Sequence, residues 1–249
     1  MTEPVLQLRG ITKSFGGLKV CTDINLQIVP GELHALIGPN GAGKTTLLNL
    51  ITGQLPADSG SLSFNGSDIT KKSVHERARQ GMARSFQITS LFTSFTVREN
   101  IELAVQAIQG SSYRFWRPAA GDPELEEPAG KIMARVGLLE RAHIRAANLS
   151  HGEQRLLEMG MALATRPSLL LLDEPMAGLG PGSSHNLAQQ IMELKGSMAI
   201  LLVEHDMNAV FSLADRISVL VQGSIIATGR PREIRNNPEV QEAYLGTPC

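Results

Sequence analysis

Gly38-Pro39-Asn40-Gly41-Ala42-Gly43-Lys44-Thr45 fits the spacing G-x-x-x-x-G-K-[ST] at every position. Glycines let such a loop curl until successive backbone N–H groups point inward. The N-terminus of the helix that follows adds its dipole to that donor array, which suits a triphosphate. Lys44 supplies a point charge for the β- and γ-phosphates, and the Thr45 hydroxyl can be offered to Mg²⁺. A plain glycine-rich turn is the alternative. The apolar run Leu33-His34-Ala35-Leu36-Ile37 before the loop and the helix-like run over 46–51 after it favour the phosphate cradle.

A phosphate loop says only that a nucleotide is held; acids say what is done with it. Asp173-Glu174 follow Leu169-Leu170-Leu171-Leu172, so both stand at the carboxyl end of a buried strand, where open α/β sheets bind ligands. Asp173 is placed to hold Mg²⁺ through water, and Glu174 to orient the water that attacks the γ-phosphate. Without the phosphate loop they would read as two acids opening a turn. His205 ends the next apolar strand, in Val203-Glu204-His205-Asp206, and the same edge logic brings it near the γ-phosphate. Gln87, after the strand-like 82–86, has a neutral amide that can reach Mg²⁺ or the attacking water. Ser150 and Glu153 have the S-x-x-E spacing of a capping box, and Gly152 between them leaves the backbone open to close approach. A second anion site at this helix start makes sense if it closes on the nucleotide of another subunit; an ordinary capped helix fits the hexapeptide equally.

These residues need a scaffold, and the patterning supplies one. Alternation over 5–8 and 24–28, with Phe15-Gly16-Gly17 as a turn between, predicts antiparallel strands; a third piece over 61–64 ends at Asn65-Gly66, a hairpin signal. From 87 to 167 the spacing turns helical, over 97–109 and 131–139. Between them 110–130 reads as a surface loop or short insertion, carrying Tyr113, Phe115 and Trp116. After 168, strands and helices alternate again: 169–172 and 199–203 as buried parallel strands, 217–221 and 225–228 as a closing hairpin, and 231–245 as a helical tail.

The bulk numbers close off other classes. The chain has 249 residues, net charge −1, and 42% hydrophobic residues, which suits a packed α/β globule with an inserted subdomain and leaves no basic footprint for nucleic acid. Its two cysteines, Cys21 and Cys249, lie far apart and lack metal-ligand spacing, as expected in a reducing compartment. The N-terminus lacks a signal-peptide pattern and no apolar run reaches membrane-spanning length, so membrane association is expected through a partner.

Taken in order, these segments resemble the ATP-binding subunits of ABC transporters almost end to end. The resemblance makes Gly38, Pro39, Asn40, Gly41, Ala42, Gly43, Lys44, Thr45 and Thr46 the Walker A contact with ATP, with Phe15 stacking on adenine. Gln87 becomes the Q-loop, and 149–154 the signature, which brings Ser150, Gly152 and Glu153 to the nucleotide. Leu169 to Glu174 become Walker B, and His205 the switch histidine. It implies ATP and Mg²⁺ as cofactors, with Lys44, Gln87, Glu174 and His205 catalytic and Thr45, Gln87 and Asp173 at the metal. The implied fold is a P-loop NTPase core (1–86 and 168–249) with an antiparallel β-subdomain and an α-helical subdomain over 87–167. The implied partners are membrane permease subunits, a second ATPase subunit and, indirectly, a solute-binding protein, at the cytoplasmic side of the membrane. The segments 81–87, 91–92, 176–179 and 242–246 resemble the branch serving branched-chain and other hydrophobic amino-acid importers; urea or amide importers look similar. A non-transport ABC ATPase acting on nucleic acid is the rival class. His151 and Glu153 stand where the commonest signature has Gly and Gln, and Gly180 where the family has Asp or Asn.

Overall fold

A computed structural model describes residues 3–85, 91–109 and 122–245. Along the chain run β1 (Leu6–Phe15), β2 (Leu18–Ile28), β3 (Leu33–Ile37), α1 (Lys44–Thr52), β4 (Ser59–Phe64), β5 (Ser67–Asp68), α2 (Val74–Arg79) and β6 (Met82–Ser85). Then come α3 (Val97–Gln109), α4 (Pro123–Arg135), α5 (His151–Ala164), β7 (Leu169–Asp173), α6 (Pro181–Leu194), β8 (Ala199–Val203) and α7 (Met207–Leu213). The last elements are β9 (Arg216–Val221), β10 (Ser224–Gly229), α8 (Pro231–Arg235) and α9 (Pro238–Val240). The architecture is that of a P-loop NTPase, a mixed α/β fold.

The chain divides into two compact units. One comprises Met1–Met82, Ser168–Glu174 and Leu194–Cys249; the other, Ala83–Pro167 and Pro175–Glu193. In the first unit a four-stranded antiparallel sheet has the order β2-β1-β4-β5. Along β1, Leu6 and Leu8 are buried and alternate with Gln7 and Arg9, the pattern of a sheet covered on one face. The second sheet runs β10-β9-β3-β8-β7, followed at its edge by β6, which begins at Met82. Here β3, β7 and β8 are buried at every position, as parallel strands covered on both faces must be. Leu6, Ile11, Ile24, Leu47, Phe64 and Leu171 belong to one apolar core. The polar member of β3, His34, is fully buried, with Nδ1 3.0 Å from Glu32 Oε1 and Nε2 2.8 Å from Ser218 Oγ. Burial pushes the Glu32 carboxyl up. Hydrogen bonds from His34 and the Val29 N–H, with the charge of Arg216, hold it below the usual carboxylate value all the same.

In the second unit α3, α4 and α5 pack on one another. Gly160 of α5 permits the close approach: a Cβ there would sit 3.3 Å from Ile101 Cδ1 and 3.4 Å from Val136 Cγ2. Two expectations change. The helix read over 131–139 starts earlier, at Pro123 inside the stretch read as loop, because Asp122 caps it and proline suits the first helical turn. It ends at Arg135, and the short 3₁₀ turn Leu139–Arg141 follows. The tail is not one helix: Asn237 caps a new start at Pro238, and the chain continues as a π-type turn over Gln241–Leu245. Tyr113, Phe115, Trp116 and Gln87 lie outside the described residues.

Candidate functional site

Parallel pairing sets the geometry. Leu36 of β3 and Asp173 of β7 both sit opposite Val203 of β8. One sheet edge therefore carries the entry to the glycine loop, the two acids and the Glu204-His205 pair. All belong to the first unit.

The loop has little choice of conformation. Gly41 and Gly43 take φ of +80° and +106°, which side-chain-bearing residues rarely adopt. A Cβ on Gly38 would collide with the Leu220 carbonyl oxygen. Gly43 leads into α1, and the Leu47 N–H already bonds back to its carbonyl at 2.9 Å. Lys44, the first residue of α1, is 7% exposed. Its Nζ donates to the carbonyl oxygens of Gly38 (2.7 Å) and Pro39 (3.1 Å), closing the loop on itself. Burial pulls the ammonium pKa down; the negative charges of Glu174 and Asp173 oppose that pull. Thr45 is exposed on the first turn of α1, with Thr46 half-buried beside it.

The same edge is acidic beyond the loop. Asp173 is 3% exposed at the end of β7. Glu174 leaves the strand with φ +47°, an uncommon conformation for a residue with a side chain, and its N–H is fixed by the Val203 carbonyl at 2.8 Å. His205 Nδ1 is 3.9 Å from Glu174 Oε2 and 3.7 Å from Glu204 Oε2, and the imidazole is 57% exposed. Glu204, wholly buried, accepts from the backbone N–H of His205 at 2.9 Å and of Asp206 at 3.4 Å. It thereby fixes the turn that presents the histidine. The sequence reading missed Glu204; an acid directly after a fully apolar strand was the available signal. Phe15 ends β1, 48% exposed, with Lys13 Nζ 5.6 Å from its ring centroid.

Ser150 caps α5 in the second unit. Its Oγ accepts from the Glu153 N–H at 3.3 Å, and Glu153 Oε2 accepts from the Ser150 N–H at 2.9 Å, the reciprocal capping box. The bond from Ser150 N–H, and the nearby Arg141 Nε at 3.1 Å, hold the Glu153 carboxyl below its ordinary pKa. Gly152 is buried beside the start of α6: a Cβ there would lie 2.9 Å from Ser183 Cβ.

The donor set suits Mg²⁺. A hydroxyl on a helix N-terminus and a carboxylate at the neighbouring strand end are hard oxygen ligands. Magnesium takes one or two such protein groups and completes its shell with phosphate and water. Among the described residues no group of three or more His, Cys, Asp or Glu could hold a metal, and no helix there is long and apolar enough to cross a membrane.

Comparison with known proteins gives a consistent result. Residues 21–177 match the family model described as ABC transporter, and 224–248 match one described as branched-chain amino acid ATP-binding cassette transporter. The chain is 39% identical to the high-affinity branched-chain amino acid transport ATP-binding protein LivG of Escherichia coli K12, over 99% of both chains. It is 39% identical to BraF of Pseudomonas aeruginosa, described in the same words, again over 99% of each. Among solved structures, the ADP conformation of MJ1267, an ATP-binding cassette of an ABC transporter, superposes with a TM-score of 0.86. Identity to it is 34%, and the match covers 99% of this chain and 100% of that one.

Proposed function

We propose that this chain, which belongs to the ABC transporter family of ATP-binding subunits, uses its ATPase activity to power an importer of branched-chain amino acids. The alignment of Leu36, Asp173 and Val203 across β3, β7 and β8 carries the reading, because it brings a phosphate cradle and a pair of acids to one edge. In the proposed reaction the triphosphate takes up the N–H groups of residues 41–46. Lys44 Nζ exchanges its two loop carbonyls for β- and γ-phosphate oxygens. Phe15 stacks on the adenine. Glu174 accepts a hydrogen bond from water and aims its oxygen at the γ-phosphorus. As the water oxygen bonds to that phosphorus and gives up a proton toward Glu174, the bond from phosphorus to the β-bridging oxygen breaks, leaving ADP and inorganic phosphate. His205 donates to a γ-phosphate oxygen as charge builds there. Thr45, Asp173 and Gln87 would hold Mg²⁺, which would supply charge neutralisation on the phosphates.

The cradle covers one side of a nucleotide. We assign the other side to a second ATPase subunit, whose signature helix start, with Ser150, Gly152 and Glu153, closes over the γ-phosphate. The pair opens after hydrolysis and moves permease subunits from the cytoplasmic face of the membrane. The name given to LivG and BraF and the match at 224–248 support branched-chain amino acids as cargo. The test is to isolate the native complex from membranes through a tag on this chain and identify its solute by mass spectrometry. Leucine, isoleucine or valine is the expected finding. Urea or a short amide would contradict the cargo, and salt-sensitive nucleic acid in place of membrane subunits would contradict the transport role.

A further inference from the structure

The underside of the phosphate loop rests on main chain from two other places. Gly223, in the turn joining β9 to β10, donates its N–H to the Ala42 carbonyl at 3.0 Å. Its own carbonyl accepts from the Thr22 N–H of β2 at 2.7 Å. There is no room for a side chain at this junction. A Cβ on Gly223 would lie 2.6 Å from the Val20 carbonyl oxygen, and a Cβ on Gly43 would lie 2.6 Å from that same oxygen. Gly38 packs on the Leu220 carbonyl, three residues before Gly223. The turn has the left-handed backbone of a two-residue hairpin loop, with φ of +46° at Gln222 and +79° at Gly223.

We infer that the β9–β10 turn is a positioning device for nucleotide binding, in which Gly223 locks the loop carbonyl of Ala42 so that the N–H groups on the opposite side stay aimed at phosphate. A loop already fixed before binding need not be ordered by the ligand, so affinity rises. The chemical step depends on other strands, since Glu174 follows β7 and His205 follows β8. Loosening the turn should therefore weaken ATP binding and spare turnover at saturation. That split separates a positioning role from a general loss of stability.

The inference rests on the nucleotide site proposed above, and the purified full-length chain tests both. Gly223→Ala adds a Cβ where the Val20 oxygen stands and strains a positive φ. It is expected to raise the KM for Mg-ATP about tenfold with kcat within about twofold of the parent. Gln222→Asn, at an exposed position of the same turn whose φ asparagine tolerates, is expected to match the parent. In the unaltered protein, saturating Mg-ATP is expected to slow backbone hydrogen exchange across residues 216–226. A parental KM in Gly223→Ala overturns the proposal. If that variant fails to fold, exchange across 216–226 that is indifferent to Mg-ATP overturns it equally. Lys44→Ala separates the two readings: undiminished ATP binding there removes the nucleotide site itself, whereas loss of binding there with a parental Gly223→Ala removes only the role of the turn.

Discussion

At the scale of single residues, the site is a set of charges kept near one another at some cost. Lys44 is buried among carbonyl oxygens; burial pulls its pKa down, and the charges of Glu174 and Asp173 offset only part of that pull. In the proposed reaction phosphate oxygens replace the Gly38 and Pro39 carbonyls that now hold the ammonium. His205 is held differently: its backbone N–H is tied to buried Glu204, while its ring remains exposed and within 3.9 Å of Glu174. In the proposed reaction a group placed this way acts on the developing charge of the transition state more than on ground-state binding. His205→Ala is therefore expected to lower kcat for ATP about 100-fold, with KM changed less than about threefold, as steady-state phosphate release would record. A KM effect equal to the kcat effect would make the histidine a binding residue. Lys44 was legible from the glycine-loop spacing, and Asp173 and Glu174 because they follow an unmistakable apolar run. Glu204 also follows an apolar run, but what it does, accepting from the backbone N–H groups of the two residues after it, shows only in the structure.

At the scale of elements, α1 is the part that must not move, since its first turn carries Lys44 and Thr45. Its far end is held by Arg77 of α2. The guanidinium, 3% exposed, donates to the carbonyls of Leu50 (2.7 Å), Ile51 (2.6 Å), Lys72 (2.9 Å) and Thr70 (3.2 Å). Among the described residues no carboxylate pairs with it; the orphan carbonyls and the negative end of the α1 dipole take that place. Arg77→Met would leave those carbonyls buried without donors, and is expected to cost about 3 kcal/mol in chemical denaturation, with Arg77→Lys recovering part of it. An unchanged midpoint for Arg77→Met would mean that water satisfies the helix end. Sequence pattern found the strands well: the hairpin at Asn65-Gly66 and the one closing at Gln222-Gly223 both form, with positive φ at all four turn residues. It did not find α2, a six-residue helix whose existence depends on a capping box at Ser73 and on the long reach of Arg77. The early start of α4 was hidden by Pro123 and Pro128, which read as loop formers, although a proline following Asp122 is a helix start.

At the scale of the whole molecule, the glycine loop, Asp173, Glu174 and His205 belong to one compact unit and α5, with Ser150 before it, to another. Such a division suits an ATPase whose nucleotide is completed by a second subunit, and it gives family membership a physical meaning. The order of motifs was legible because each consists of local types at fixed spacing. The cargo was legible only through the resemblance of 81–87, 91–92, 176–179 and 242–246 to one importer branch, since nothing in the nucleotide site depends on it; the names of relatives matched end to end agree with that reading. The central claim is that this edge binds ATP and that the Glu174 carboxylate readies the water that cleaves it. Phosphate release and nucleotide binding by Glu174→Gln test it most directly. The amide keeps the shape and loses the basic carboxylate, so the expected result is parental Mg-ATP affinity, hydrolysis reduced about 1000-fold or more, and an ATP-dependent doubling of mass in solution. Parental turnover by Glu174→Gln would contradict the account.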